Sequence, residues 1–442
     1  MWVEEITLEN IKCFNRLLIP FTNKKQPYSW ITLLGENGSG KSTFLQCLAL
    51  LLAGPEAAQQ LCPRPLGWLA NESQPGKISM RLHQGENDPG QFGTERQTRS
   101  FGYTLHVTSS KPLTIRNKVY SEPSIQESPD KRLSWLRENA FASKGTGWFA
   151  VGYGAFRRLT RSSQIIVPSL EPQARFSNFL TQFDEDQPLS AFEQWLVYLD
   201  YRIAKADDAE AKQQKDLGIA AINQLLPKKT RFDSVTPEGR ILFDIDGQKV
   251  PTIGLSDGYR SIMALAGDLV WRLIQSFPQS SQPLHEEGVV LIDELDIHLH
   301  PLWQRDIALW LQQQFPNLQF IVATHSPLVA SGAGEAALTL QFKLEDDHVQ
   351  SMRVDKLAAM NVDRILESPA FGLVSSYSPQ TAAKISRYDQ LIKKQQPRTT
   401  SENQELKQLQ LFMGEIQPFG SRSAPGSLDA KIESFLEKAL SD

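Results

Sequence analysis

Eight residues, Gly35-Glu36-Asn37-Gly38-Ser39-Gly40-Lys41-Ser42, fit the pattern G-x-x-x-x-G-K-[ST]. Their surroundings sharpen the reading. The apolar run Trp30–Leu34 leads straight into the loop, and Ser42–Ala53 behind it is rich in helix formers and stops at Gly54-Pro55. A strand, a glycine turn and a helix in that order belong to an α/β unit with the turn at the end of a sheet. In such a turn, glycines let successive backbone N–H groups curl around phosphates. Lys41 would reach the β and γ groups, and the Ser42 hydroxyl would ligate magnesium at the helix N-terminus. Gly35, Glu36, Asn37, Gly38, Ser39, Gly40, Lys41, Ser42 and the adjoining Thr43 are therefore the candidate nucleotide contacts. Alone, the loop says only that nucleotide phosphates bind.

With 442 residues the chain is long for one compact domain. Hydrophobic residues at 40% and charged residues at 22% exclude wholesale disorder and fibrous classes. A net charge of −4 argues against a histone-like basic surface but leaves room for a local basic groove. The longest apolar run, Phe44–Ala53, is too short to cross a bilayer, and Glu4 and Glu5 are out of place in a signal peptide. A cytoplasmic protein with no membrane partner is expected. Cys13, Cys47 and Cys62 lack metal-ligand spacing and read as reduced thiols.

Apolar spacing predicts two adjacent strands over Val3–Phe21 and an antiparallel meander with long loops over 71–130, with strands at Ile78–Leu82, Tyr103–Val107 and Leu113–Val119. From Pro188 to Leu226 the spacing turns helical, through Phe192, Trp195, Leu196 and Leu199. Ile241–Ile245 and Lys249–Ile253 flank Asp246-Gly247, a hairpin dipeptide. A helix then begins near Ser256. The short apolar runs Val289–Ile292 and Phe320–Ala323 alternate with a helix over Trp303–Phe315, which implies a parallel sheet covered on both faces. The expected division is an N-terminal lobe (1–187), a helical insertion (188–228), a C-terminal lobe (229–366) and a C-terminal extension (367–442). The extension carries a last amphipathic helix from Ser427 and a possible docking role.

Val289-Val290-Leu291-Ile292-Asp293-Glu294 is an apolar strand ending in two carboxylates. Asp293 would hold magnesium together with Ser42, and Glu294 would orient or deprotonate the attacking water. Leu255-Ser256-Asp257-Gly258-Tyr259 resembles the L-S-x-G-x signature of ABC-type ATPases, with Ser256 and Gly258 at a helix N-terminus suited to an anion. His325, closing Phe320-Ile321-Val322-Ala323-Thr324-His325, resembles the switch histidine of that class, and Leu295–Pro301 resembles its D-loop. His298 and His300 in that loop lack a third ligand for a metal. Leu8-Glu9-Asn10-Ile11-Lys12-Cys13-Phe14 is similar to the opening of SMC and RecF-like heads, which makes Lys12 a further candidate nucleotide contact. The glutamine that joins the magnesium site to the inserted arm has no diagnostic context; Gln164 and Gln173 are the candidates.

Together these motifs resemble an ABC-type AAA family ATPase head of the RecF, SMC and OLD kind. The resemblance implies an α/β fold: a two-lobed P-loop head with a mixed sheet, an antiparallel β lobe, a short helical insertion and a helical C-terminal tail. It implies ATP and Mg2+ as cofactors, Glu294, His325 and Lys41 as catalytic residues, and Ser42 and Asp293 as metal ligands. It also implies a head-to-tail homodimer with ATP sandwiched between Lys41 of one copy and Ser256 and Gly258 of the other, with further assembly left open. The segment from Ser42 to Leu255 is too long for a transporter's nucleotide-binding domain, and the insertion is too short for SMC arms. The acidic cluster Glu345-Asp346-Asp347 looks like a polar turn rather than the metal site of an OLD-type nuclease domain. The segment Val362–Leu373 resembles the C-terminal region of PtuA-type ATPases of Septu and retron antiviral defence, which act with a separate HNH-type nuclease. The alternative is a RecF-like DNA-binding ATPase in DNA repair or chromosome maintenance, holding nucleic acid through Arg157, Arg158 and Arg161 or Lys228, Lys229 and Arg231.

Overall fold

The computed structural model describes residues 1–416 except 25, 93–98, 110–112, 116–117, 121–122, 143–145, 158–173, 185–188, 190, 227–228, 346–347 and 395–396. The expectations at Gln164, Gln173, Arg158, Arg161, Lys228 and the helix from Ser427 lie outside the described residues. The chain divides into two compact units, Met1–Gly372 and Leu373–Asp442.

Within the first unit, a mixed sheet runs in the spatial order Phe149–Tyr153, Gly288–Ile292, Leu318–Ala323, Trp30–Gly35, Leu338–Glu345, His348–Arg353. Its neighbours pair in parallel except the last two strands, which pair antiparallel from Leu340 with Arg353 to Glu345 with His348. The nearly unbroken apolar runs of Phe149–Tyr153 and Gly288–Ile292 follow from burial on both faces. Alternation sends Val289 and Leu291 into a core shared with Phe44 and Leu48, and Val290 and Ile292 into a second core shared with Leu265, Leu269 and Trp195. The phosphate-loop helix Lys41–Ala53 covers the first face. The long helix Asp257–Ser276 and the inserted helices Ala191–Ala206 and Ala209–Leu225 cover the second.

Over the phosphate-loop helix lies an antiparallel sheet in the order Pro123–Glu127, Ser100–Ser109, Gly76–His83, Trp2–Ile11, Phe14–Pro20. The first two predicted strands are thus present and paired. The meander differs in detail: Leu113–Ile115 and Lys118–Tyr120 form their own small hairpin, and Pro123–Glu127 takes the place beside Ser100–Ser109. The helix Lys131–Asn139 was not visible in the periodicity, because its buried face is only Leu133 and Leu136. The Gly54-Pro55 stop ends one helix and starts another, Pro55–Leu61, with proline at its first position. The inserted helices are two because Asp207 adopts φ 48° between them and Asp208 caps the second by accepting from the Ala211 N–H.

A buried polar chain joins the long helix to the strand Phe149–Tyr153. The Tyr153 hydroxyl donates to Asp268 at 2.9 Å, Arg272 Nε donates to the same carboxylate oxygen at 2.6 Å, and Arg272 Nη1 reaches Asn178 at 2.6 Å. The long helix is thereby fastened to the edge strand of the mixed sheet. In the second unit, Pro379–Lys393 and Thr400–Ile416 meet through Leu391, Leu406 and Leu409.

Candidate functional site

The phosphate loop sits at the end of the central strand Trp30–Gly35. Gly40 has φ 87°, and a Cβ there would lie 2.6 Å from Cys13 Sγ and 2.8 Å from the Phe14 ring, so conformation and space both demand glycine. Gly38 (φ 81°) faces open space, so only its backbone conformation demands glycine. The helix behind the loop has no side-chain cap, which leaves its first N–H groups available to an anion. Lys41 is buried, and its Nζ donates to the carbonyls of Gly35 (2.8 Å) and Glu36 (3.0 Å). Glu36, Asn37 and Ser42 are exposed, and Thr43 is half-buried on the first turn. Ser39 Oγ is buried without a hydrogen-bond partner among the described residues.

Asp293 follows the strand Gly288–Ile292, and its N–H donates to Tyr153 O at 2.8 Å. Burial pushes its carboxyl above the ordinary range, against the pull of the Ser42 hydroxyl and of the Arg157 and Lys41 charges. Its Oδ1 is buried without a hydrogen-bond partner among the described residues. Burial likewise pushes the Lys41 ammonium below its ordinary value, opposed first by Asp293 and then by Glu294 and Asp296. Glu294, half-buried, takes φ 47°, a left-handed conformation disfavoured by its Cβ. Lys41, Ser42, Asp293 and Glu294 are therefore gathered in one place. The orphaned Ser39 and Asp293 oxygens and the uncapped helix fit a phosphate with a divalent cation.

His325 joins the group through the D-loop. Asp296 Oδ1 accepts from the Thr324 hydroxyl and, at 3.2 Å, from the His325 N–H, while Leu295 N donates to Ala323 O. Ser326 caps the next helix and donates to Gln304 at 2.8 Å. Asp296 was absent from the candidate residues; a lone aspartate two past Glu294 carries no sequence signal, and only the fold puts it against the strand end at His325. His300 Nδ1 accepts the Leu302 N–H at 3.3 Å.

Ser256 and Gly258 lie at the N-terminus of the long helix Asp257–Ser276. Ser256 is exposed at the N-cap of Asp257–Ser276, with no capping bond from its hydroxyl. Gly258 packs on the D-loop of its own chain: a Cβ there would sit 2.7 Å from His298 O and 3.4 Å from the Trp303 ring. Lys12 (φ 45°) stands 4.5 Å over the Trp68 ring and 3.5 Å from Gln46 Oε1 on the phosphate-loop helix.

One expectation is corrected. Arg157 is no part of a solvent-facing basic patch: it is 4% exposed, and its guanidinium donates to the carbonyls of Gly154 (2.8 Å), Asp293 (2.5 Å) and Glu294 (2.8 Å). Burial lowers its pKa to about 10, against the nearby Asp293, Asp296 and Glu294. Sequence could not reveal this, because it does not show that Phe149–Tyr153 pairs beside Gly288–Ile292. Of the second basic cluster, Lys229 is paired with Asp246 at 2.9 Å.

Fold and motif order define a P-loop ATPase head of the ABC type. The chain belongs to the family described as AAA domain, putative AbiEii toxin, Type IV TA system, which matches residues 31–331. It is 27% identical to the Septu protein PtuA of Bacillus mycoides over 95% of this chain and 51% of that protein. It is 25% identical to the Retron Vc95 probable ATPase of Vibrio cholerae over 89% of this chain and 84% of that one. The chain thus spans about half the length of the Bacillus relative. Among solved structures, an SmcHead bound to the C-winged helix domain of ScpA aligns with a TM-score of 0.49 at 16% identity, over 81% of this chain and 100% of that chain. Among the described residues, no helix is long and apolar enough to cross a membrane.

Proposed function

We propose that the protein hydrolyses ATP slowly as a nucleotide-dependent dimerisation switch, the regulatory subunit of an antiviral defence complex with a separate nuclease. The observation that carries the switch is that Ser256 is exposed at the N-terminus of its helix, with no capping bond from its hydroxyl. Lys41, Ser42, Asp293, Glu294 and His325 gather at the strand ends, whereas Ser256 is exposed on a helix end packed against its own D-loop. A site needing both halves is completed by a second copy placed head to tail. The relation to Septu and retron ATPases supports the defence setting.

In this reading the N–H groups of Gly38 to Lys41 and the Lys41 ammonium hold the β and γ phosphates of ATP, exchanging the loop carbonyls for substrate oxygens. Ser42 and Asp293 would hold Mg2+, which when bound neutralises charge on the phosphates. Glu294 orients and deprotonates the attacking water; His325 faces the γ-phosphate; Lys12 and Thr43 border the nucleotide. Ser256 and the helix N-terminus behind it close on the γ-phosphate from the other copy, so hydrolysis removes the contact that holds the dimer.

Mixing two inactive variants tests the shared site. Ser256→Arg and Lys41→Ala, each inactive alone, should recover part of the wild-type turnover when combined, because one composite site in the mixed dimer is intact. No recovery in mixed dimers shown to form by differential tagging would refute the proposal.

A further inference from the structure

We infer that Arg157 is a positioning residue for ATP hydrolysis, acting through the main chain of Asp293 and Glu294; this rests on the function proposed above. The parallel pairing of Phe149–Tyr153 with Gly288–Ile292 ends at Tyr153 and Ile292, and one more bond, Asp293 N–H to Tyr153 O at 2.8 Å, closes the ladder. Past that point no further pairing joins the two segments among the described residues. The Arg157 guanidinium fills this place. Nη1 donates to Gly154 O at 2.8 Å and to Asp293 O at 2.5 Å, and Nη2 donates to Glu294 O at 2.8 Å.

Three carbonyls from two segments are thus held by one rigid plane, at the residue where the backbone turns left-handed (Glu294, φ 47°). That turn decides where the Glu294 carboxylate is aimed, and the fork on its carbonyl holds the peptide plane that follows it. The main chain holds the same plane through Leu295 N–H to Ala323 O at 3.1 Å and Ile297 N–H to Glu294 O at 3.2 Å, and the guanidinium adds the link that ties it to Gly154 and Asp293. The chemistry selects arginine: a planar fork spans separate acceptors, whereas a lysine ammonium is a point donor that cannot bridge all three. Arg157 is buried too deeply to meet solvent or a polyanion. Among the described residues its side-chain hydrogen bonds go to main-chain oxygens, so its effect on chemistry passes through the backbone it holds.

The test uses the full chain with Arg157→Lys and Arg157→Gln, alone and combined with Glu294→Gln. Steady-state ATPase kinetics, binding of a fluorescent ATP analogue with Mg2+ and thermal melts are read for each. Expected is a fall in kcat of roughly 10- to 100-fold in both Arg157 variants, the scale of a sub-ångström misplacement. KM and analogue affinity should stay within about 3-fold, because transition-state geometry rather than ground-state binding is lost. Arg157→Gln on top of Glu294→Gln should add no further loss, since its effect runs through that carboxylate. The inference is overturned by Arg157→Gln turning over at the wild-type rate, by affinity falling in step with kcat, or by the two losses adding. Should Arg157→Gln fail to melt cooperatively, Arg157→Lys decides on its own split of kcat from KM. The Glu294→Gln arm by itself tests the parent reading: full turnover there removes Glu294 from catalysis and this inference with it. An inactive Glu294→Gln beside a fully active Arg157→Gln removes only the inference.

Discussion

Adding one methyl group at Gly258 separates packing from propensity. The Cβ of Gly258→Ala would lie 2.7 Å from His298 O, and ordinary contact begins near 3.4 Å, so the helix end and the D-loop must part by about 0.7 Å. Overpacking of this size costs about 1–3 kcal/mol, while replacing glycine by alanine in a helix returns up to about 1 kcal/mol. The net loss, about 0–3 kcal/mol, lowers the melting temperature by at most about 12 °C, because a unit of this length shifts no more than about 4 °C per kcal/mol. Turnover should suffer far more. Ser256 heads the displaced helix and His298 sits in the loop that continues from Glu294, so a 10- to 100-fold drop is expected from roughly 0.7 Å of misplacement. Steady-state ATPase assays and thermal melts on the same preparation read both quantities. Wild-type turnover in a folded Gly258→Ala protein would show that this contact does not set the geometry of the helix end.

Glu294→Gln should lower turnover by about 10²–10⁴-fold, the range of general-base losses, while keeping ATP binding and raising the dimer fraction seen by light scattering with ATP and Mg2+; a monomer under those conditions contradicts the switch. Asp293→Asn should abolish the Mg2+ dependence of analogue binding, measured with and without the cation. Glu193 offers a pH test, because burial raises its carboxyl above the ordinary value against the Thr252 hydroxyl and the Arg260 charge. A raised carboxyl contributes stability below its unfolded-state pKa and loses it as pH rises through the folded-state value. The melting temperature of Glu193→Gln relative to wild type should therefore climb as pH rises from about 4, and a flat difference would contradict the burial.

What could be read from the chain follows the range of each signal. The glycine loop, the apolar strand into Asp293 and the strand ending at His325 are local patterns whose chemistry needs adjacent residues, and each appears where spacing placed it. The hairpin around Asp246-Gly247 was likewise written in a dipeptide. Arg157 and Asp296 were not readable, since their partners lie across strands more than a hundred residues away or across a loop that only the fold brings back. The fifth strand of the antiparallel sheet was missed for a related reason: Pro123–Glu127 has one fully buried residue, Ile125, and its place depends on the partner strand.

Asp268 receives both the Tyr153 hydroxyl and the Arg272 guanidinium, and Tyr153 O in turn receives the Asp293 amide. The helix that would be lent to a neighbouring copy and the carboxylate kept at home are thus members of one stiff frame. A lesion at Tyr153 or Asp268 would then be felt twice, once in the mutant's own pocket and once in the pocket of the copy beside it. In a cell carrying both alleles, such a substitution would behave as a dominant poison rather than as a silent loss.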